Sequence, residues 1–187
     1  MNKKTITGLA VALCLLMPAI AHAQATPGKS KVAVIYYSLS ENTDMVAKKI
    51  AALLNADIIR LETAQAYNTR DMVKFRDFAK TEQNSKKWPE LKPLKTSLSG
   101  YQTIFLGSPV WYSSIANPMV TFLSQNDLSG KRVITFGTCS GGEGDFFKEF
   151  DKNIKNAFVE KGLMFQNASN DKGLDKKISD WVKKVKL

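Results

Sequence analysis

The chain has 187 residues, of which 44% are hydrophobic and 24% are charged, and its formal net charge at pH 7 is +10. This balance excludes a disordered acidic or low-complexity chain and allows a sizeable hydrophobic core. The basic residues are spread over several segments and do not alternate with aromatic residues along one stripe, so we expect no nucleic-acid partner.

Residues 1–23 have the pattern of a signal peptide. Two lysines precede an apolar stretch at residues 6–20, and the sequence AHA at 21–23 supplies the small residues that signal peptidase requires. An apolar stretch of about fifteen residues that contains Pro18 is short for a membrane span. We therefore predict cleavage after Ala23, a periplasmic or secreted protein, and no stable membrane insertion once the signal is removed.

Cleavage would remove the single histidine and one of the two cysteines from the chain. Removing 23 of the 187 residues leaves 164, and the loss of two lysines and no acid lowers the formal charge from +10 to +8. His22 and Cys14 lie in the removed part, which leaves Cys139 as the last cysteine. A histidine base, a histidine-bound metal and an internal disulfide are thereby excluded. We interpret residues 24–30 as a linker and residues 31–187 as one domain.

Strands and helices alternate along residues 31–187. The first and third predicted strands are apolar on both faces, as buried parallel strands are, whereas the second is shorter and more polar, as an edge strand would be. The helices show apolar residues at helical spacing. In chain order we predict a strand at 31–37, a helix at 43–54, a strand at 57–61, a helix at 68–83, a strand at 103–107, a helix at 118–125, a strand at 132–136, a helix at 145–161, a strand at 162–167 and a helix at 175–185. This alternation predicts the α/β class, with a five-stranded parallel sheet of order 2-1-3-4-5 as the middle layer of a three-layer sandwich.

The loop after the first strand is rich in hydroxyl and amide side chains, with the sequence YYSLSENT at 36–43. It leads directly into a helix, whose first backbone N–H groups lack partners and lie at the positive end of the helix dipole. These features predict a phosphate site. No Lys or Arg lies between Val32 and Ala47, so we expect neutral donors there. The alternative is that Ser and Thr are ordinary helix caps.

The loops after the third and fourth strands have other properties, and in such a sheet they would meet the first loop at one edge. The second loop, residues 108–114, contains Trp111 and Tyr112, whose rings can lie against a planar heterocycle. Alternatively, these rings anchor the core or the surface. The third loop, residues 137–144, is glycine-rich, so its backbone can approach a ligand closely. Alternatively, it is only a flexible loop.

These motifs resemble those of the flavodoxin family, and within it the flavodoxin-like NAD(P)H/quinone oxidoreductase branch. The sequence IYYSLSENT at 35–43 looks like its phosphate loop, TIFLGSPVWY at 103–112 is similar to its third strand and aromatic loop, and FGTCSGG at 136–142 looks like its third flavin loop. The resemblance implies a flavodoxin-like fold that binds flavin mononucleotide (FMN). The cofactor-binding residues that it implies are Ser38, Ser40, Glu41, Asn42 and Thr43, then Pro109, Val110, Trp111 and Tyr112, and finally Thr138, Cys139, Ser140, Gly141 and Gly142.

Two features depart from the family pattern. Members of the family commonly have Gly where this chain has Glu41, and a carboxylate beside a phosphate dianion is unfavourable unless it points to solvent. Electron-carrying flavodoxins are also generally acidic, whereas this chain is basic. The positive charge favours attraction of an acidic partner or an anionic molecule, or serves solubility.

Our leading hypothesis is an exported FMN-binding protein that acts in electron transfer or as an FMN-dependent oxidoreductase. Free nicotinamide nucleotides are expected to be scarce outside the cytoplasm, so a redox partner protein or a quinone would exchange electrons with the flavin. No catalytic side chain and no metal are predicted. One alternative is a binding module that has lost FMN and holds another anionic ligand or a protein partner. Another is thiol chemistry at Cys139, whose pKa nearby N–H groups would lower.

Overall fold

A computed structural model of the protein describes residues 32–187. The predicted signal peptide, residues 1–23, and the predicted linker, residues 24–30, lie outside the described residues. None of the helices within residues 32–187 has the length and apolar character that a membrane span needs.

The described chain alternates between strands and helices, as the sequence predicts. Its elements are β1 (Val32–Tyr36), α1 (Glu41–Leu54), β2 (Asp57–Arg60), α2 (Met72–Ser85), β3 (Thr103–Trp111), β4 (Ser114–Ile115), α3 (Asn117–Gln125), β5 (Arg132–Cys139), α4 (Phe146–Asn153), β6 (Phe158–Gln166) and α5 (Leu174–Lys184).

Five of these strands form one parallel sheet with the order β2-β1-β3-β5-β6. The two-residue strand β4 pairs only with the end of β3 and runs antiparallel to it. The predicted order 2-1-3-4-5 of the parallel strands is therefore confirmed. The reversal of order between β1 and β3 is the place where ligands bind in sheets of this kind.

Helices cover both faces of the sheet, which makes the fold a three-layer sandwich. Successive strand residues point to opposite faces, so each apolar strand contributes to two cores. One core lies under α1 and α5, and the other lies under α2, α3 and α4. The first includes Val34, Phe105 and Ile134 of the sheet with Val46, Ile50 and Ile178 of the helices, and the second includes Ile35, Ile104 and Leu106 of the sheet with Phe75, Phe122 and Phe150 of the helices.

The helix predicted at 145–161 is too long, and that prediction is wrong in its second half. The helix ends at Asn153, the chain passes through Asn156 with a φ of +54°, and β6 follows. Phe158, which the helical spacing placed on the inner face, is 73% exposed at the start of β6. Pairing with the open edge of β5 fixes this segment, because ladder hydrogen bonds outweigh a local apolar period.

Several other boundaries also differ from the sequence predictions. The second helix begins at Met72 instead of residue 68, because the Asp71 side chain accepts a hydrogen bond from the Lys74 N–H at 3.1 Å and caps it. The first helix begins at Glu41 instead of residue 43. The strand β3 continues through to Trp111, so part of the predicted second loop is extended chain paired with β4 and β5.

Gly162 is the extra residue of a β-bulge between β5 and β6. Lys161 pairs with Thr135 and Leu163 pairs with Phe136, so Gly162 has no partner of its own in the register. A Cβ atom at this position would overlap the Thr135 carbonyl oxygen and lie 2.8 Å from the Trp181 ring. Only glycine lets the two backbones approach this closely.

We predict that Gly162→Ala lowers the free energy of unfolding by about 1–3 kcal/mol, because the added methyl group overpacks against backbone that cannot yield. Urea denaturation followed by circular dichroism measures the change. Gly100→Ala is the matched control, since a Cβ there meets nothing within 4 Å. Equal midpoints for the two variants would contradict the close approach at the bulge.

Candidate functional site

The carboxyl ends of β1, β3 and β5 lie side by side and bring the first and third predicted loops into contact. The Tyr37 N–H donates to the Gly107 carbonyl at 3.0 Å, so the first loop leaves the sheet against β3. The hydroxyls of Thr43 in α1 and Thr138 in β5 lie 2.7 Å apart, and both residues are buried. This contact joins the start of α1 to the end of β5.

The second and third loops are also joined. The Asp145 N–H donates to the Ser113 carbonyl at 2.8 Å. Gly144 has a φ of +55°, and a Cβ there would overlap the Ser113 side chain. The structure therefore brings all three predicted loops to one edge of the sheet.

The first loop leaves the start of α1 open. Ser40 is the N-cap with an extended backbone, and within the described chain its side chain makes no capping hydrogen bond. The buried Ser38 hydroxyl instead accepts from the Asp44 N–H at 3.2 Å and donates to the Ser40 carbonyl. The Asn42 amide contacts the Ser40 hydroxyl at 3.4 Å and accepts from the Ser169 N–H at 2.9 Å. The Ser38 hydroxyl is therefore used in a bond to the first turn of α1, whereas the Ser40 side chain is exposed at the helix N-terminus.

The remaining two predicted residues of the first loop differ in exposure. Glu41 is the first residue of α1 and is exposed, so its carboxylate is not packed into the loop. Thr43 is 1% exposed and its hydroxyl is committed to Thr138. Of these two residues, only Glu41 therefore presents its side chain to solvent.

A buried carboxylate lies directly beneath this loop. Asp44 is 3% exposed, and its oxygens accept from Tyr36 at 2.6 Å and contact Lys48 at 2.6 Å and Arg60 at 3.2 Å. Burial by itself raises the pKa of Asp44, but the hydrogen bonds from Lys48 and Tyr36 outweigh it and hold the pKa below the usual 3.8. Burial and the same carboxylate raise the pKa of the Tyr36 phenol.

Sequence reasoning missed Arg60, which is the last residue of β2. Its Nη2 atom donates to the Ser38 carbonyl at 3.1 Å while Nη1 pairs with Asp44, so this guanidinium ties the first loop to α1. Arg60 therefore places a positive charge beside the first loop, where it is paired with the Asp44 carboxylate. The signal was available: a strand parallel to β1 ends beside the loop that follows β1.

In the second loop, Trp111 and Tyr112 have different environments. Trp111 is 8% exposed, and its ring contacts Tyr37, Tyr67 and Phe75 edge-on at centroid distances of 5.6, 5.4 and 5.1 Å. Tyr112 is 38% exposed and has a φ of +49°. Tyr112 therefore offers a ring to a ligand, and Trp111 supports the loop from behind.

The Tyr112 ring is held from the side by α2. Its hydroxyl donates to the Arg76 carbonyl, and the Lys80 ammonium lies 4.9 Å from its ring centroid. Burial is the main cause of the raised pKa of the Tyr112 phenol. Pro109 and Val110, which precede Trp111 on β3, are half-buried.

The third loop is accessible to solvent at Gly141 and Gly142. Added Cβ atoms at Gly141 and Gly142 would meet nothing within 4 Å, and the neighbouring Ser140 is exposed. The Gly141 carbonyl accepts from the Cys139 thiol at 3.2 Å and from the Gln166 amide at 3.1 Å. The backbone conformation is thereby fixed while the loop surface stays accessible.

Cys139 is the free cysteine of the described residues and is half-buried. Burial raises the pKa of its thiol, and the Glu143 carboxylate acts in the same direction. The prediction that N–H groups lower this pKa is therefore wrong, and the thiol is not activated. Residues 32–187 also contain no cluster of His, Cys, Asp and Glu side chains that could hold a metal ion.

Comparison with known proteins adds a family and a set of similar structures. The flavodoxin family model matches residues 31–185. The chain is similar to a candidate flavoprotein from Bacteroides eggerthii, with 25% identity and a TM-score of 0.72 over 85% of this chain and 99% of that one. It is similar to another from Bacteroides uniformis, with 26% identity and a TM-score of 0.73 over 83% of this chain and 99% of that one.

A third similar structure contains a flavin. It is a flavoprotein from Lactobacillus acidophilus in complex with FMN, with 24% identity and a TM-score of 0.65 over 82% of this chain and 99% of that one. No protein of curated function matches the chain in sequence.

The Asp44 network predicts a specific pH dependence of stability. A carboxyl whose folded pKa lies below its unfolded value stabilises the fold above pH 3.8, and this contribution is lost as the pH falls through the folded pKa. In the Asp44→Asn variant, the free energy of unfolding should therefore decrease less steeply as the pH is lowered. Urea denaturation of the flavin-free protein from neutral pH to about pH 3 measures the slope.

Asp180→Asn is the control for this slope. The pKa of Asp180 is also lowered, chiefly by a hydrogen bond from Lys176, but the pair is exposed and solvent screens it. We expect this variant to follow the wild type. If Asp44→Asn leaves the change of the unfolding free energy with pH the same as in the wild type, titration of the buried Asp44 does not contribute to acid stability.

Proposed function

The chain belongs to the flavodoxin family, and from this membership we propose that it binds FMN at the edge formed by its three loops and exchanges electrons through the flavin. The observation that carries the proposal is the open N-terminus of α1 at the switch point of the sheet. Family membership supplies the fold, and the geometry of this edge supports the ligand.

The first loop suits the phosphate of FMN. The helix α1 has 14 residues and begins with an N-cap whose side chain makes no capping bond to the described chain, so its first N–H groups and the exposed Ser40 hydroxyl are available donors. Arg60 and Asp44 fix the loop from below, so little ordering is needed on binding. The similar flavoprotein from Lactobacillus acidophilus has FMN in its structure.

The second and third loops suit the flavin ring system. Tyr112 offers an exposed ring, and the open space at Gly141 and Gly142 leaves room for a flat ligand to approach the backbone. Bound FMN supplies reversible one- and two-electron chemistry, which the protein tunes by stacking and backbone contacts. The Cys139 thiol, with its raised pKa, is not needed as a nucleophile.

We further propose that this protein works outside the cytoplasm, in the manner of the flavodoxin-like NAD(P)H/quinone oxidoreductase branch but without free nicotinamide nucleotides. A protein or a quinone then supplies or accepts the electrons. The formal charge of +8 after signal removal favours an acidic partner, because opposite charge speeds the encounter of two redox proteins.

One observation favours a second candidate function, a binding module that keeps the fold and has lost FMN. Glu41 is exposed at the first turn of α1, the place where the phosphate would lie. A carboxylate about 4 Å from a phosphate costs roughly 1 kcal/mol in water for each negative charge on the phosphate. Such a module would hold a different anionic ligand or a protein partner at the same edge.

Flavin titration distinguishes the two functions. We expect the purified protein to bind FMN, with a flavin absorption spectrum perturbed by Tyr112, and to bind riboflavin at least about 10-fold more weakly because riboflavin lacks the phosphate. Glu41→Gln should tighten FMN about 2- to 5-fold and leave riboflavin unchanged. Isothermal titration calorimetry gives both affinities. A protein that binds neither flavin after reconstitution supports the binding module instead.

Export gives a separate prediction. In its native host the protein should be recovered outside the cytoplasm with Gln24 as its first residue, because signal peptidase cleaves after Ala23. Intact-mass measurement of the extracytoplasmic and cytoplasmic fractions tests this. Ala23→Pro should block cleavage and leave a longer chain in the membrane fraction. A full-length soluble protein found in the cytoplasm would refute the signal.

A further inference from the structure

A cavity of about 570 Å³ lies between α2 and the segment that follows β2. Its lining includes Tyr67, Lys74, Phe75, Phe78, Glu82 and Glu90. None of these residues belongs to the three loops of the proposed flavin site. The volume is that of a pocket for a small organic molecule.

Aromatic rings form much of the cavity wall. Tyr67 lies edge-on to Phe75 and to Phe78, at centroid distances of 5.5 and 6.0 Å. Phe75 is buried in the core, whereas Phe78 is 57% exposed although it is a large apolar ring. An exposed ring at the edge of an aromatic pocket is available to cover a ligand.

A carboxylate that is nine-tenths buried also lines the cavity. Glu82 accepts hydrogen bonds from the Tyr67 hydroxyl at 2.7 Å and from the Asn117 amide at 2.9 Å, and both bonds go to Oε2. Every fully buried side-chain oxygen and nitrogen of the described residues has a hydrogen-bond partner. Oε1 takes part in neither bond, so it is not fully enclosed, and the Glu82 side chain is part of the cavity lining.

The charge of Glu82 is not balanced by a cation. Its two hydrogen-bond partners are neutral, and within residues 32–187 it forms no ion pair. The lining also includes Glu90 and Lys74, and the Lys74 ammonium is paired with Asp71 at 3.4 Å. A partly buried carboxylate without a countercharge is costly, so a cationic ligand gains by supplying one.

We propose that this cavity binds a small organic cation with a flat apolar body. An amidinium or ammonium group donates to Glu82 Oε1 in a charge-assisted hydrogen bond. The body lies against Tyr67, Phe75 and Phe78, where the ring faces attract the positive charge. This site lies beyond the proposed flavin site and does not depend on flavin binding.

The cavity lies next to Trp111 in the second loop of the proposed flavin site. The rings of Tyr67 and Phe75 both contact Trp111. A ligand in the cavity should therefore change the fluorescence of this tryptophan. The signal is independent of any electron transfer.

Benzamidinium is the probe for the first experiment, with neutral benzamide of the same shape as its control. Calorimetry and tryptophan fluorescence are measured on the purified protein with and without added FMN. Benzamidinium should bind at least about 10-fold more tightly than benzamide, because only the cation pairs with the carboxylate. Equal binding of the two, or no binding of benzamidinium, would overturn the proposal.

Variants of the cavity locate the bound probe. Glu82→Gln keeps the shape and removes the charge, and it should weaken benzamidinium about 10-fold while leaving benzamide unchanged. Phe78→Ala changes an exposed ring, so it leaves the fold intact, and it should weaken benzamidinium about 3- to 5-fold. Phe158→Ala removes a still more exposed ring on β6, and Asp151→Asn removes an exposed carboxylate on α4.

The two control variants should bind benzamidinium as the wild type does. If they weaken it as much as the cavity variants, or if Phe78→Ala has no effect, the cation binds elsewhere and the cavity assignment is wrong. Failure of FMN to bind in the same samples would count against the proposed function alone. The two proposals are therefore tested separately.

Discussion

The parallel pairing of β1, β3 and β5 is the constraint on which the rest of the structure depends. The three strands run in the same direction, and β3 pairs with β1 on one side and with β5 on the other. Their carboxyl ends therefore lie at the same edge of the sheet. Distant loops thereby form one surface, and the contact between Thr43 and Thr138, which are 95 positions apart in sequence, joins two of them. Both faces of the sheet must be covered for this arrangement to be stable, which explains the two separate cores.

Two charged side chains, Asp44 and Arg60, stabilise this edge of the sheet from beneath the first loop. Asp44 is buried under the first loop, where Tyr36, Lys48 and Arg60 satisfy its oxygens. Arg60 also holds the Ser38 carbonyl, so one guanidinium links β2, the loop and α1. A loop fixed in this way offers its donors to a ligand at a low entropic cost. The Glu82 carboxylate differs, since its hydrogen-bond partners are neutral and its side chain lines a cavity.

Much of the fold could be predicted because its signals are local. Buried parallel strands are apolar on both faces, and this pattern identified the central strands, while the alternation of strands with helices led to the edge strands and to the expected order. The prediction of a helix at residues 154–161 was wrong for a physical reason. Phe150, Ile154 and Phe158 have helical spacing, but the chain from Phe158 onwards forms strand hydrogen bonds with β5. At the site, the hydroxyl-rich and glycine-rich loops were predicted, whereas the different burial of Trp111 and Tyr112 was not.

The sequence by itself determined the α/β class, the residues of the three loops and the family that they resemble, because each follows from residues that are neighbours in the chain. The strand order and the meeting of the loops at one edge were expected from the topology that such chains adopt, and they depend on pairing between distant strands. Only the tertiary structure revealed that Arg60 ties the first loop to Asp44, that the Asp44 N–H in the first turn of α1 bonds the Ser38 hydroxyl and leaves Ser40 without a capping bond, and that Glu82 lines an aromatic cavity. These features join residues from different elements. Their distances and burial depend on how the elements pack, which no local pattern contains.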